Sequence, residues 1–394
     1  MIPIFLRQAL IFRYCKILAK KPVALQTTLA NMRILILHNL LWSQYKSVIF
    51  EKIAQTCDSA DELLVVQTTI TEKSREDLVD FDLANFPYKY PFKLLNTIPL
   101  EQISFIKTAF DWIKIIWQFK PDVINLTGYN ELGTLPVLIL AKALGIKTIM
   151  TIESVAHQGG RFQLIKGVYK KLVYGLIDGV FSYGLNTNRF LFEQGVPKSK
   201  ILSFLNSFDQ RSFHISENTT VPQKPYLLYV GRLSPEKNIG ALVDLMKGLD
   251  HQLVVIGDGP ERSRLEKISG PNIQFLGSIA WAKLPNYFAG ASCLLLPSSY
   301  EPWGMVANEA QAMGKPVICT AACGCANDLV INGFSGLVVA DFTLEKDRII
   351  QFLQTLPTMQ PIFEDFAGRN NRVFSVDRLS QEMLTGMRKL LKLQ

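Results

Sequence analysis

Two carboxylates and a glycine set out the chemistry of the segment Glu301-Pro302-Trp303-Gly304-Met305-Val306-Ala307-Asn308-Glu309. It follows an apolar run, Leu294-Leu295-Leu296-Pro297, that reads as a buried strand. Pro302 suits a first helical turn, and Gly304 lets a ligand come close to the backbone. Free N–H groups at a helix start bind phosphate. Glu301 stands at the mouth of this helix and Glu309 about two turns further on. That separation is too wide for one shared acid–base pair. It suits carboxylates that grip hydroxyls at the two ends of an elongated ligand, with phosphates between them. The plain alternative is a surface helix that happens to carry two glutamates.

Cations of the right kind precede it. In Tyr229-Val230-Gly231-Arg232-Leu233-Ser234-Pro235-Glu236-Lys237-Asn238 a strand ends at Gly231, and a loop then carries Arg232 and Lys237. Arginine offers phosphate a fixed fork of donors, and lysine a mobile point charge. Val255-Ile256-Gly257-Asp258-Gly259-Pro260 marks a tight strand-to-helix turn, short of a full G-x-G-x-x-G.

The elements that must position these residues alternate. Short apolar runs at 34–38, 62–67, 123–126, 147–152, 179–182 and 201–205 read as buried parallel strands, with a helix over 135–144 between two of them. Residues 207–224 are polar, with Pro222, and break the pattern as an interdomain linker. The scheme then repeats: strands at 226–230, 252–256, 273–276, 292–296, 317–319 and 336–339, and helices at 243–249 and 377–391. The fold class is therefore α/β, two doubly wound Rossmann-like domains facing across a cleft, with ligands at the carboxyl ends of the strands. Residues 1–31 form a basic extension, 32–206 the first domain, 225–365 the second, and 366–394 a helical segment that crosses back to the first.

Composition narrows the function classes. The chain has 394 residues, 48% hydrophobic and 19% charged, which is globular rather than disordered. Its net charge of +8 lies wholly in the first half: residues 1–206 hold 24 Lys and Arg against 16 Asp and Glu, and 207–394 hold 18 of each. Such a balance suits an anionic membrane surface or a phosphorylated substrate. Arg161, Lys166, Lys170 and Lys171 form an acid-free run that could dock on anionic lipid, or simply be a solvated helix face. No aromatic-basic motif of the known nucleic-acid modules occurs, so nucleic acid is not an expected partner. The six cysteines match no disulfide framework and no zinc spacing, and read as reduced residues of a cytoplasmic protein, peripheral at most at the inner face of a membrane. The first 31 residues carry five basic residues and no acid. They read as a basic amphipathic helix or as a misassigned start ahead of Met32. Asp80-Phe81-Asp82 fits a D-x-D metal pattern but lies outside the second half, and no metal or other cofactor is expected.

In order, G-R-L-x-P-E-K-N, V-x-G-D-G-P, F-L-G, L-L-P-S-x-x-E-P-W-G-x-V-x-N-E-A and G-K-P-V-I resemble the family 4 retaining glycosyltransferases of the GT-B fold (glycosyl transferases group 1). The resemblance is specific over about residues 225–340 and looser over 120–206. It implies that Arg232 and Lys237 hold the diphosphate of a UDP- or GDP-sugar donor, that Glu309 binds the ribose hydroxyls, and that Glu301 contacts the donor sugar. Gly231, Gly257, Gly304, Met305 and Val306 would complete the donor site. The leaving phosphate would take the acceptor proton on the same face, so that the anomeric configuration is retained.

The acceptor side is less marked. A glycan or lipid-linked acceptor would meet loops after the first-domain strands: Trp42, Gln44 and Tyr45; Tyr129, Asn130 and Glu131; Glu153 and His157. Many relatives have a glycine pair in the first loop and a histidine near the position of Glu153, and this chain has neither. Two other readings share the fold: a nucleotide-sugar epimerase, and a binding module without turnover.

Overall fold

Hydrophobic runs bounded by polar residues become the strands of two parallel sheets. A computed structural model describes residues 31–41, 44–73, 86–128, 133–153, 163–203, 206–215, 221–222 and 225–392. The first lobe holds β1 (Arg33–Leu40), α1 (Gln44–Thr56), β2 (Glu62–Thr69), β3 (Phe92–Leu94), α2 (Phe105–Phe119), β4 (Val123–Thr127), α3 (Thr134–Ala143), β5 (Lys147–Ile152), α4 (Gln163–Leu176), β6 (Gly179–Ser182), α5 (Gly184–Glu193) and β7 (Ile201–Ser203). The second holds β8 (Tyr226–Val230), α6 (Gly240–Met246), β9 (Leu253–Ile256), α7 (Arg262–Ile268), β10 (Ile273–Gly277), α8 (Leu284–Gly290), β11 (Ala291–Leu296), α9 (Met305–Ala312), β12 (Val317–Thr320) and β13 (Gly336–Val339). Two helices close the chain, α10 (Lys346–Val373) and α11 (Val376–Leu391).

Strand order is β3-β2-β1-β4-β5-β6-β7 in the first sheet and β10-β9-β8-β11-β12-β13 in the second, all parallel. In each sheet the strand order reverses once, between β1 and β4 and between β8 and β11. Such switch points open a crevice at the strands' carboxyl ends. Strand cores such as Ile34–Leu37 and Leu253–Ile256 are buried on both faces, as helix-covered parallel sheets require.

Several elements depart from expectation. β3 was not expected, because three residues carry no readable period. The helix expected at 243–249 runs instead from Gly240 to Met246, and Gly248 with φ +82° follows its end. α9 begins at Met305, so Pro302 lies in the turn before the helix rather than in its first turn. The expected division at 365/366 falls inside α10, which continues through Pro357 and Pro361 because Phe352, Leu353, Leu356 and Phe363 are buried against the second lobe. Nor is the first part of the linker merely polar. Phe208 and Phe213 are buried, and Phe213 packs on Trp281 and Phe288.

α11 returns to the first lobe. Arg388 pairs with Asp58 and Asp61 at 2.5 and 2.6 Å, Lys52 with Asp377, and the Ser203 hydroxyl donates to Glu382 at 2.9 Å. Among the described residues no helix is long and apolar enough to cross a membrane.

Candidate functional site

The loops after β8, β9 and β11 are held together by backbone. Gly231 N–H donates to Ile256 O, Leu233 N–H to Asp258 O, and Glu261 N–H to Leu233 O, at 2.9–3.0 Å. A Cβ on Gly257 would lie 2.0 Å from Gly231 O, and its φ of +129° is one that L side chains rarely adopt. The two glycines thus let neighbouring strand ends touch. Their visible work is lacing the loops, which fixes the backbone at Arg232. The Tyr229 hydroxyl donates to Arg232 O at 3.0 Å and holds the same point from below.

The short 3₁₀ turn Pro235–Lys237 docks on the loop after β11. Ser299 N–H donates to Glu236 O at 2.8 Å, and Asn238 reaches Pro297 O. This docking brings Lys237 against Glu301, and the two side chains form a largely buried ion pair. The loop 301–304 is pinned from the other side: Gly324 N–H donates to Glu301 O at 2.8 Å and Cys325 N–H to Trp303 O at 2.9 Å. Gly304 caps α9 with φ +93° and lies against the Glu301 side chain. Met305 and Val306 therefore present first-turn N–H groups beside the Lys237–Glu301 pair. Trp303 is locked by its indole N–H, which donates to Asn308 at 2.8 Å. Arg232 stands at the rim with an exposed side chain. Glu236 beside it feels burial first, which raises its carboxyl. The Ser234 hydroxyl, the backbone, Lys237 and Arg232 outweigh that and hold it below the usual range.

Glu309 is not open to a groove. It is 2% exposed and accepts hydrogen bonds from the Tyr45 hydroxyl at 2.5 Å and from Trp281 Nε1 at 3.0 Å. Burial raises its pKa, and the two hydrogen bonds pull the other way. Tyr45 comes from the first turn of α1, so the lobes meet directly on this carboxylate.

Next to Tyr45, Lys46 is the residue that sequence reasoning missed. Its ammonium pairs with Glu153, donates to the Tyr183 hydroxyl at 2.8 Å and lies 4.0 Å from the Tyr183 ring centroid. Burial works against its charge, but Glu153 and Tyr183 outweigh burial and raise its pKa to about 12. A second contact joins the lobes. Asp328 accepts from Leu185 N–H at 2.9 Å, and burial pushes its pKa up to about 7. No local pattern marks Lys46 or Trp281, because each finds its partner from a distant segment. Asp328 stands in the segment Gly324–Val330, which extends the resemblance, but its partner on the other lobe was not legible there.

Among the expected residues, Lys237, Glu301, Gly304, Met305 and Val306 come together, with Gly231 and Gly257 in the laced loops beneath Arg232. Glu309 faces the first lobe instead of the Lys237–Glu301 pair. Glu153 is drawn to Lys46. Gln44 opens α1, but its side chain is not among those described. Trp42, Tyr129, Asn130, Glu131 and His157 lie outside the described residues, as do residues 1–30 and Asp80-Phe81-Asp82. The run from Arg161 to Lys171 is described only from Gln163, and its side chains only from Gly167. Cys319, Cys323 and Cys325 are buried and unpaired in disulfides.

Two parallel Rossmann-like sheets facing through these loops define a GT-B architecture. HepE of Anabaena, solved in complex with UDP, superposes with a TM-score of 0.71 at 17% identity, over 91% of this chain and 100% of that one. Residues 210–358 match the Glycosyl transferases group 1 family, so the second lobe carries a domain of that group. The GDP-mannose-dependent alpha-mannosyltransferase of Mycolicibacterium smegmatis is 33% identical over 240 residues, 58% of this chain and 63% of that protein. Its namesake in Corynebacterium glutamicum is 26% identical over 257 residues, 62% and 59%. The chain spans about half the length of the curated relatives it matches.

Proposed function

We propose that the chain is a retaining glycosyltransferase that moves a sugar from a nucleoside-diphosphate sugar to an acceptor hydroxyl in polysaccharide, glycan or glycolipid synthesis. The observation that carries this reading is the Lys237–Glu301 pair beside the first turn of α9, at the β8/β11 switch point. Breaking a sugar–phosphate bond builds negative charge on the departing diphosphate. Lys237 and the N–H groups of Met305 and Val306 would meet that charge, with Arg232 at the rim, and fixed donors stabilise such charge most. Glu301, released from Lys237 by the incoming phosphate, would turn to the sugar hydroxyls. The diphosphate would accept the acceptor's proton on the face it leaves. Its charge is met by protein donors, so the reaction requires no metal, and chelation by EDTA leaves transfer unchanged.

Glu309 fits the ribose role only after Tyr45 gives up its hydrogen bond. Donor entry is thus coupled to the first lobe, and Lys46 and Glu153 occupy the acceptor side of the same cleft. A lipid-linked or glycan acceptor, and a place at the inner face of a membrane, belong to the same reading.

The test is ligand-induced thermal stabilisation with a panel of UDP- and GDP-sugars. One donor class raises the melting temperature by mass action, and Lys237→Ala abolishes the rise while melting cooperatively on its own. If no nucleotide sugar stabilises the wild-type chain, the reading fails. Epimerised donor without acceptor would point to the epimerase instead.

A further inference from the structure

The outer face of the first lobe carries more apolar surface than a solvated layer needs. On α2, Thr108, Ala109, Trp112, Ile115 and Ile116 are buried against the sheet. A flank of the same helix shows Ile106, Phe110 and Trp117, each more than half exposed. Their spacing, with Ile113 between, is i, i+4, i+7, i+11, one straight stripe. Ile139 on α3 and Val168 and Leu172 on α4 are likewise more than half exposed, and the three helices pack side by side over one face of the sheet. Exposed large hydrophobics of the second lobe, such as Ile268, Phe334 and Leu344, are scattered over separate elements.

Charge decides what covers this face. α2, α3 and α4 together contain six lysines and one acid, Asp111. Lys114 and Lys171 are exposed, and Lys107 is exposed with its ammonium on Asn96 at 2.7 Å. A two-fold pairing with a second copy would bring these like charges together. Tryptophan, phenylalanine and branched aliphatics among lysines match the interfacial zone of an anionic bilayer: rings and aliphatics enter below the headgroups, and ammonium groups meet lipid phosphates.

We propose that the α2–α3–α4 face docks on an anionic phospholipid bilayer through Phe110 and Trp117, with Lys107, Lys114 and Lys171 on the headgroups. In parallel α/β units each helix starts at the carboxyl edge of the sheet, the edge that carries Lys46 and Glu153. Docking therefore sets the mouth of the cleft near the lipid surface. The inference deepens the peripheral placement given under the proposed function and does not depend on the donor site.

The test is co-sedimentation of the full chain with vesicles of phosphatidylcholine alone or mixed with phosphatidylglycerol. Wild type pellets with the mixed vesicles, less so as salt is raised, and stays in solution with phosphatidylcholine alone. Phe110→Ser/Trp117→Ser lowers the vesicle partition coefficient by roughly tenfold or more, and Lys107→Gln/Lys114→Gln lowers it by about tenfold. Both double variants keep the wild-type melting temperature and donor-induced shift, which separates docking from folding and from the donor site. Three results overturn the proposal: no binding to either vesicle, unchanged binding by the apolar double variant, or a concentration-dependent dimer that this variant abolishes. Vesicle binding without donor stabilisation would leave docking intact and sink the transferase reading; the reverse would do the opposite.

Discussion

The two lobes share a strand order but secure their switch points differently. In the second lobe the loops are tied backbone to backbone, through Gly231, Gly257 and the Gly324–Glu301 bond. In the first lobe backbone bonds such as Gly128 N–H to Thr151 O are joined by side-chain ties, with Lys46 holding Glu153 and Tyr183 together. Backbone ties demand glycine at fixed places and need no charged group, so Arg232 and the first turn of α9 stay available to a ligand, while Lys237 is held by Glu301. Side-chain ties use up the polar groups that a substrate would need. The second lobe thus keeps its loop backbone fixed and exchanges one ion pair, Lys237–Glu301, when phosphate arrives, whereas the first must break the Lys46–Glu153–Tyr183 set for a ligand.

The largest effect should come from the prearranged side. Lys237→Ala removes the buried cation beside α9 and should lower transfer by roughly a hundredfold or more, read as kcat/KM with the stabilising donor. Near-normal turnover would dissolve the contrast between the lobes. Next comes Gly257→Ala. The added methyl strikes Gly231 O in a backbone region hostile to L residues, and the chain should lose about 3 kcal/mol or more in denaturant unfolding. A loss within the range of an ordinary surface change would show that the lacing is slack.

On the side-chain-tied edge, Lys46→Met strands Glu153 and the Tyr183 hydroxyl. Adding Glu153→Gln should recover part of the stability, a coupling of about 1–3 kcal/mol in a double-mutant cycle. Additive losses would mean that the pair holds nothing together. Asp328 sharpens the comparison at the lobe contact. Its pKa is about 7 in the folded chain, against an ordinary value of 3.8. The folded state therefore binds the proton more tightly than the unfolded one. Stability from this group is full below about pH 4 and is lost as pH rises towards 7. Asp328→Asn should remove that fall from a plot of melting temperature against pH, and an unchanged slope would assign it elsewhere. The smallest effect is expected at Tyr45. Tyr45→Phe frees Glu309 from one competing hydrogen bond and should tighten donor binding by a few-fold in calorimetry. Weaker binding would mean that the hydroxyl helps to hold the donor.

How much of this was legible follows the same division. Gly231, Arg232, Lys237, Glu301 and Gly304 stand in short ordered segments, because a loop tied through backbone leaves its signature in local residue types. Buried strands were legible as apolar runs to within a few residues, while β3 was too short to leave a period. Lys46 and Glu153 gave no sign of each other, since 107 positions separate them and neither type is unusual in a first helical turn or just after a strand.

From composition and spacing alone came two parallel α/β lobes and a cationic, glycine-laced turn system in the second, because burial periodicity and the sterics of glycine act over a few residues. Only the tertiary structure decided that Glu309 is covered by Tyr45 and Trp281, that Asp328 titrates against the other lobe, and that three helices share one apolar, lysine-rich face. Those outcomes depend on which distant surfaces meet, and on the dielectric that their meeting creates. Neither quantity is written in any single stretch of the chain.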